Sequence, residues 1–140
     1  MARIDLPEGD GLDVGKALMA APHFVDVVLG YEKGIAASPI DPRLHELVRY
    51  LIANLNQCTT CLEFRRQDSG LDEQTLATVT DFATSDLLTE LEKKALRFTE
   101  LFCTDSTAIT DELISDLEKE LGTAGVTDLA LVVGKYLAMG

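Results

Sequence analysis

The sequence predicts an all-α domain of about six or seven helices, on three observations. Apolar residues recur at helical spacing in several segments, no useful length of strand-type alternation occurs, and helix-start signals stand where the periodic segments begin. With 140 residues, 46% of them apolar, the chain can bury one sizeable core and is too apolar for disorder. No repeat of roughly 20–50 residues and no Gly/Pro-rich linker divides it, so residues 1–140 read as a single domain.

In chain order, the first periodic segment covers residues 23–37, with Phe24, Val27, Val28, Tyr31 and Ile35 near helical spacing, and stops at Ser38-Pro39, where the residue before proline is driven out of the α region. The strongest pattern follows. Leu44, Leu47, Val48, Leu51, Ile52 and Leu55 line one helix face, and Asp41 with Pro42 supplies a cap and a first-turn proline. Residues 62–67 are expected to stay helical, up to a stop near Ser69-Gly70. A further helix over residues 72–83 is weakened by three threonines and a valine. Thr89 with Glu92 has capping-box spacing and opens a helix through Ala95, Phe98 and Phe102. Thr110, followed by Asp111 and Glu112, opens another to Leu121, which Gly122 ends. The last segment, residues 127–139, is apolar nearly all round, predicting a helix buried on most sides, part of it by another subunit.

A net charge of −12 opposes nucleic-acid backbones and anionic lipid surfaces, so neither is expected as a partner. Residues 1–10 contain one basic side chain and no apolar run of signal-peptide type, and residues 129–134 fall far short of the ~20 residues a membrane span needs. A cytoplasmic location is the expectation. The charged run over residues 116–120, with Lys119 beside Asp116 and Glu120, is a solvated helix face.

Cytoplasmic thiols stay reduced, so a close cysteine pair there points to chemistry more than to a structural staple. Cys58-Thr59-Thr60-Cys61 is such a pair, and its i, i+3 spacing places both sulfurs on one side of a helical turn, within bridging range. A zinc site would need four ligands, whereas only Cys103, His23 and His45 remain, singly and far apart; no metal or cofactor is expected. A thioredoxin-type site would need flanking strands, and none is predicted. Two buried core cysteines would also fit the pattern. Cys103 reads as a small apolar residue, and His23 and His45 as surface or packed residues without a visible catalytic partner.

Arg65 lies four residues after Cys61, one turn on if the helix continues, where its charge could favour a thiolate; a solvated arginine is the alternative. Glu46 lies off the leucine stripe, on the face shared with Arg49, Tyr50 and Ala53, as a surface carboxylate would. In an unbroken helix it would stand roughly 18 Å from Cys58. Bringing the two together requires a break, and Asn56-Gln57 is the place for one, with a new helix starting just before Cys58.

The run from Glu46 through Asn56 to Cys58 and Cys61 resembles the signature of the alkylhydroperoxidase D-like, or carboxymuconolactone decarboxylase, superfamily: a glutamate, eleven residues, then CxxC after an asparagine. The resemblance extends more loosely from about residue 40 to the end. It implies a compact all-helical fold, assembly as dimers, trimers or hexamers, and thiol peroxidase activity. Residue by residue, it implies Cys61 as the thiolate that attacks a small hydroperoxide, Cys58 as proton donor and resolving partner, and Glu46 as the carboxylate of a proton relay, with an external dithiol as reductant. The sequence departs from the family pattern at Arg65 and Thr60, which stand where histidines are usual. Neither exchanges protons near neutral pH as imidazole does. A weakened or non-enzymatic helical oligomer, acting as sensor or scaffold, is therefore an alternative, and a decarboxylase-type lyase a more distant one.

Overall fold

A computed structural model describes residues 4–139; Met1, Ala2, Arg3 and Gly140 lie outside the described residues, and with them the first part of the N-terminal segment discussed above. The described residues form seven α-helices and four 3-10 segments, with no strand among them. They are α1 (Asp13–Met19), α2 (Val25–Ala36), α3 (Pro42–Leu55), α4 (Thr59–Glu63), α5 (Glu73–Leu76), α6 (Glu90–Thr104) and α7 (Asp111–Met139). The chain divides into two compact units, the first reaching Ser38 and the second running Pro39–Ala138.

In the first unit, α1 has no counterpart among the sequence expectations, and α2 follows a 3-10 turn at Pro22–Phe24 and ends before Ser38-Pro39, as the proline requires. Ile35 is its buried side chain. Leu12, Met19, Phe24, Val27 and Leu29 are exposed.

The second unit is built on α3. Asp41 caps it by accepting from the Arg43 amide at 2.8 Å, and Pro42 occupies the first turn, where a missing N–H costs no hydrogen bond. Leu47 and Leu51 of its apolar stripe join Leu76, Val79, Phe82, Leu88 and Leu96 in one core cluster, with Tyr50 and Leu71 against it. Each such side chain contributes about 1.5–3 kcal/mol of burial. Helix α6 begins with both halves of the capping box: the Glu92 amide donates to Thr89 Oγ1 at 3.2 Å, and the Thr89 amide to Glu92 Oε2 at 2.7 Å. The other Glu92 oxygen takes Arg43 Nε at 2.7 Å, which ties the start of α3 to the start of α6.

Two expectations are corrected. Residues 72–83 form no continuous helix: α5 is one turn capped by Asp72, and a 3-10 segment, Val79–Thr84, follows with a kink at Asp81. The hydroxyls of Thr78 and Thr84 donate to the carbonyls of Thr75 and Asp81, in competition with helical bonding. Residues 64–67 leave the helix, since α4 ends at Glu63 and Phe64 is extended at ψ 142°. In the last segment Leu129, Val132 and Val133 are buried, and Leu131 is 50% exposed.

Gly122 breaks α7 as anticipated, with φ 70° and ψ 168°. As a whole, α7 has the length and apolarity of a membrane span. Divided at Gly122, neither arm has the ~20 residues a span requires.

The break after α3 is a Schellman motif. The Gln57 amide donates to Asn54 O at 3.1 Å and the Cys58 amide to Ala53 O at 3.0 Å, while Gln57 takes the left-handed conformation at φ 53°. Glycine is usual there, because a Cβ in this region costs about 1–2 kcal/mol. Gln57→Gly should accordingly stabilise the oxidised protein by about 1 kcal/mol, read as a higher urea midpoint at unchanged slope. An unchanged or lower midpoint would show that the Gln57 side chain repays its strain.

Candidate functional site: the cysteine pair and its buried ion pair

The left-handed turn at Gln57 ends α3 and lets Cys58 start α4, so residues that would be far apart on one straight helix meet. Cys58 is the N-cap of α4, its sulfur accepting from the Cys61 amide at 3.3 Å, and the two sulfurs are joined as a disulfide with Cα atoms 5.2 Å apart. Both cysteines are partly exposed, with Thr59 and Thr60 open to solvent.

Glu46 is buried, contrary to what its spacing suggests, and so is Arg49 one turn on. They form a bidentate pair, Arg49 Nε to Glu46 Oε2 at 2.6 Å and Nη2 to Oε1 at 2.7 Å. A charge on that face can be buried because its partner is buried with it and the remaining donors are used. Arg49 Nη1 donates to Cys61 O at 2.6 Å and Nη2 to Phe64 O at 3.0 Å, and the guanidinium carbon lies 5.3 Å from the centre of the Phe64 ring. The Arg66 amide donates to Glu46 Oε1 at 3.3 Å. Glu46 thus reaches the cysteine pair through Arg49, which holds the peptide of Cys61.

These bonds explain why α4 stops. A continuing helix would give the carbonyls of Cys61 and Leu62 to the amides of Arg65 and Arg66. Instead Arg49 takes Cys61 O, the Arg65 side chain takes Leu62 O, and the Arg66 amide turns to Glu46. Arg65 is therefore not one helical turn beyond Cys61. Its guanidinium forms a two-pronged pair with Glu73 at 2.7 and 3.0 Å, also donates to Phe64 O, and lies over the Tyr50 ring.

His45, Arg66 and Tyr136 were given no role by sequence reasoning, and they form a second layer, in which His45 is buried and Arg66 and Tyr136 are partly exposed. Arg66 Nη1 is 2.9 Å from His45 Nδ1, and His45 Nε2 is 3.1 Å from Tyr136 Oη. A guanidinium can only donate, so Nδ1 accepts and Nε2–H donates to the tyrosine. Asp68 holds the other edge of Arg66 at 2.6 and 3.0 Å. Burial, and next the positive charge of Arg66, push His45 from 6.5 down to about 4; Lys135 and Arg49 act in the same direction and Glu46 opposes. His23 is exposed in its 3-10 turn, and Cys103 is half-buried, with its thiol pushed up by burial. Among the described residues, no group of three or more His, Cys, Asp or Glu side chains is placed to hold a metal ion.

The fold has a solved counterpart. It is similar to the crystal structure of a protein of unknown function from Agrobacterium tumefaciens, described as a candidate antioxidant defence protein AhpD, with a TM-score of 0.75 at 19% identity over 86% of this chain and 85% of that one. The fold is all-helical and AhpD-like. No protein-family model and no curated protein matches the sequence.

The buried histidine carries a pH prediction. Between pH 6.5 and about 4 the unfolded chain protonates His45 while the folded protein keeps it neutral. Stability therefore rises with pH across this window and is lost as pH falls through it, by up to roughly 3 kcal/mol. His45→Gln keeps an acceptor and a donor but cannot titrate. Urea midpoints measured from pH 7 to 4 should fall less steeply in this variant than in the parent; equal slopes would remove His45 as their source.

Proposed function

We propose that the protein is a cysteine-dependent hydroperoxide reductase. The observation that carries the reading is a partly exposed Cys58–Cys61 disulfide at the start of a one-turn helix whose far end is fastened to a buried carboxylate–guanidinium pair. The AhpD-like fold supports it.

In the proposed cycle the Cys61 thiolate attacks the O–O bond of a small organic hydroperoxide. The S–O bond forms as the O–O bond breaks, and the alkoxide leaves as alcohol after taking a proton, leaving Cys61 as a sulfenic acid. The Cys58 thiol then attacks that sulfur, water leaves, and the disulfide results; a dithiol reductant supplies the two electrons that restore both thiols. Cys61 is the attacking residue and Cys58 the resolving one and proton donor. Glu46 is the carboxylate of the site, and its route to the cysteines passes through Arg49. Arg65, held against Leu62 and Phe64, adds positive charge next to the residue that follows Cys61, favouring the thiolate. We infer a cytoplasmic homo-oligomer, as the family resemblance implies.

A second reading has its own observation. Arg65 stands at the family's histidine position and is engaged with Glu73, so the pair lacks an imidazole there. A redox sensor or scaffold that cycles its disulfide without rapid peroxide turnover fits that arrangement.

Mass spectrometry of the fully reduced protein after a small excess of organic hydroperoxide separates the two. The enzyme reading predicts loss of about 2 Da faster than a free thiol reacts, catalytic peroxide consumption with a dithiol, no reaction in Cys61→Ser, and a gain of about 16 Da in Cys58→Ser. Arg65→Ala should slow the reaction. A rate no greater than that of free cysteine would reject the enzyme and leave the sensor.

A further inference from the structure

We propose that Arg49 is a positioning residue of the cysteine pair: by bridging Glu46 to the carbonyls of Cys61 and Phe64, it holds the two sulfurs within bonding range of one another when they are reduced. The proposal deepens the peroxidase reading and rests on it for its functional meaning.

Helix α4 has five residues, far fewer than the 12–15 at which an isolated helix becomes even marginal in water. Its N-terminal cap is the Cys58 sulfur, a weak acceptor that is itself a reacting atom. Reduction removes the covalent link and leaves the turn with only the short backbone bonds from the Leu62 amide to Cys58 O and from the Phe64 amide to Thr60 O inside it. At its start the Cys58 amide is held by Ala53 O, and its side-chain attachments lie at the far end. Arg49 provides two of them, to Cys61 O at 2.6 Å and Phe64 O at 3.0 Å, and its guanidinium also faces the Phe64 ring.

Arg49 is suited to this by its own immobility. It is 5% exposed, and Glu46 takes two of its N–H groups in a fork that fixes the guanidinium plane. The donors aimed at residues 61 and 64 are therefore set by α3, which is packed into the core. Neither Glu46 nor Arg49 changes redox state, so neither loses a donor or an acceptor when the disulfide breaks.

A pair held in range has a high effective concentration of one thiol for the other, which favours the disulfide over two mixed disulfides with an external thiol. Loosening the peptide of Cys61 should lower it. The reading needs both cysteines in reach at the sulfenic acid stage as well, so the same loosening should slow resolution by Cys58.

The test is the equilibrium constant of the Cys58–Cys61 pair in glutathione redox buffers, measured by alkylation and mass on the full chain. Arg49→Lys keeps a cation for Glu46 but cannot bridge four acceptors; the double variant Glu46→Leu, Arg49→Leu replaces the ion pair with apolar groups and leaves the carbonyls unclamped. Each folded variant, judged by unchanged helical circular dichroism, should favour the dithiol at least fivefold more than the parent. A smaller change in a folded variant overturns the proposal. The parent supplies an arm that needs no mutation: after reduction, the Leu62 and Phe64 amides, which donate within α4, should retain their slow hydrogen exchange, and exchange at unfolded rates would contradict the clamp. No peroxide is involved in any of these measurements. A protein that fails to reduce hydroperoxide but shows the fivefold shift loses the peroxidase reading and keeps the role of Arg49.

Discussion

Two opposite charges are buried on one turn of α3, and each restricts what the chain can do around it. Glu46 needs donors for both oxygens, and Arg49 has more N–H groups than one carboxylate can accept. The surplus N–H groups are met by Cys61 O and Phe64 O, and the Arg66 amide adds a further donor to Glu46 Oε1. A buried ion pair adds little net stability against an apolar replacement, but removing one partner costs about 3–5 kcal/mol. What the pair contributes here is geometry. It specifies where α4 ends and how the segment after the cysteines returns along α3.

The return places a second layer behind the first. His45 and Glu46 are consecutive on α3 and hold the side chain and the amide of Arg66. Tyr136 reaches His45 from α7, so the last helix is tied to the same segment. The cysteines lie at the outer edge of this network, partly exposed, while the groups that fix them are inside. An exposed pair with a rigid support suits thiol chemistry, in which small reactants must enter while the sulfurs keep their separation.

The parts of the fold legible in the sequence are those whose causes are local. Asp41-Pro42, the Thr89/Glu92 box, Ser38-Pro39 and Gly122 each act within a turn of the backbone they control, and each stands where the sequence places it. The break at Asn56-Gln57 was legible as a turn signal, although the left-handed residue is Gln57, where glycine would be the usual marker. The end of α4 was not legible. It depends on Arg49 reaching residues 12 and 15 positions on and Glu46 reaching Arg66 across 20, and no helical pattern carries those separations. The burial of Glu46 had one faint sign, the i, i+3 arginine, which on most helices marks a surface pair. His45 lies between stripe residues and could be read as surface or packed; it is packed, and its partners come from α7 and from the segment past the cysteines.

The account stands or falls on whether Glu46 and Arg49 act as one unit. A double-mutant cycle on the folding stability of the oxidised protein, with Glu46→Leu, Arg49→Leu and both together, measures this directly. Each single change should cost about 3–5 kcal/mol by stranding a buried charge, and the double change should cost no more than either alone. Additive losses would mean that the two side chains contribute separately, and the cysteine segment would then have to be held by something other than their pair.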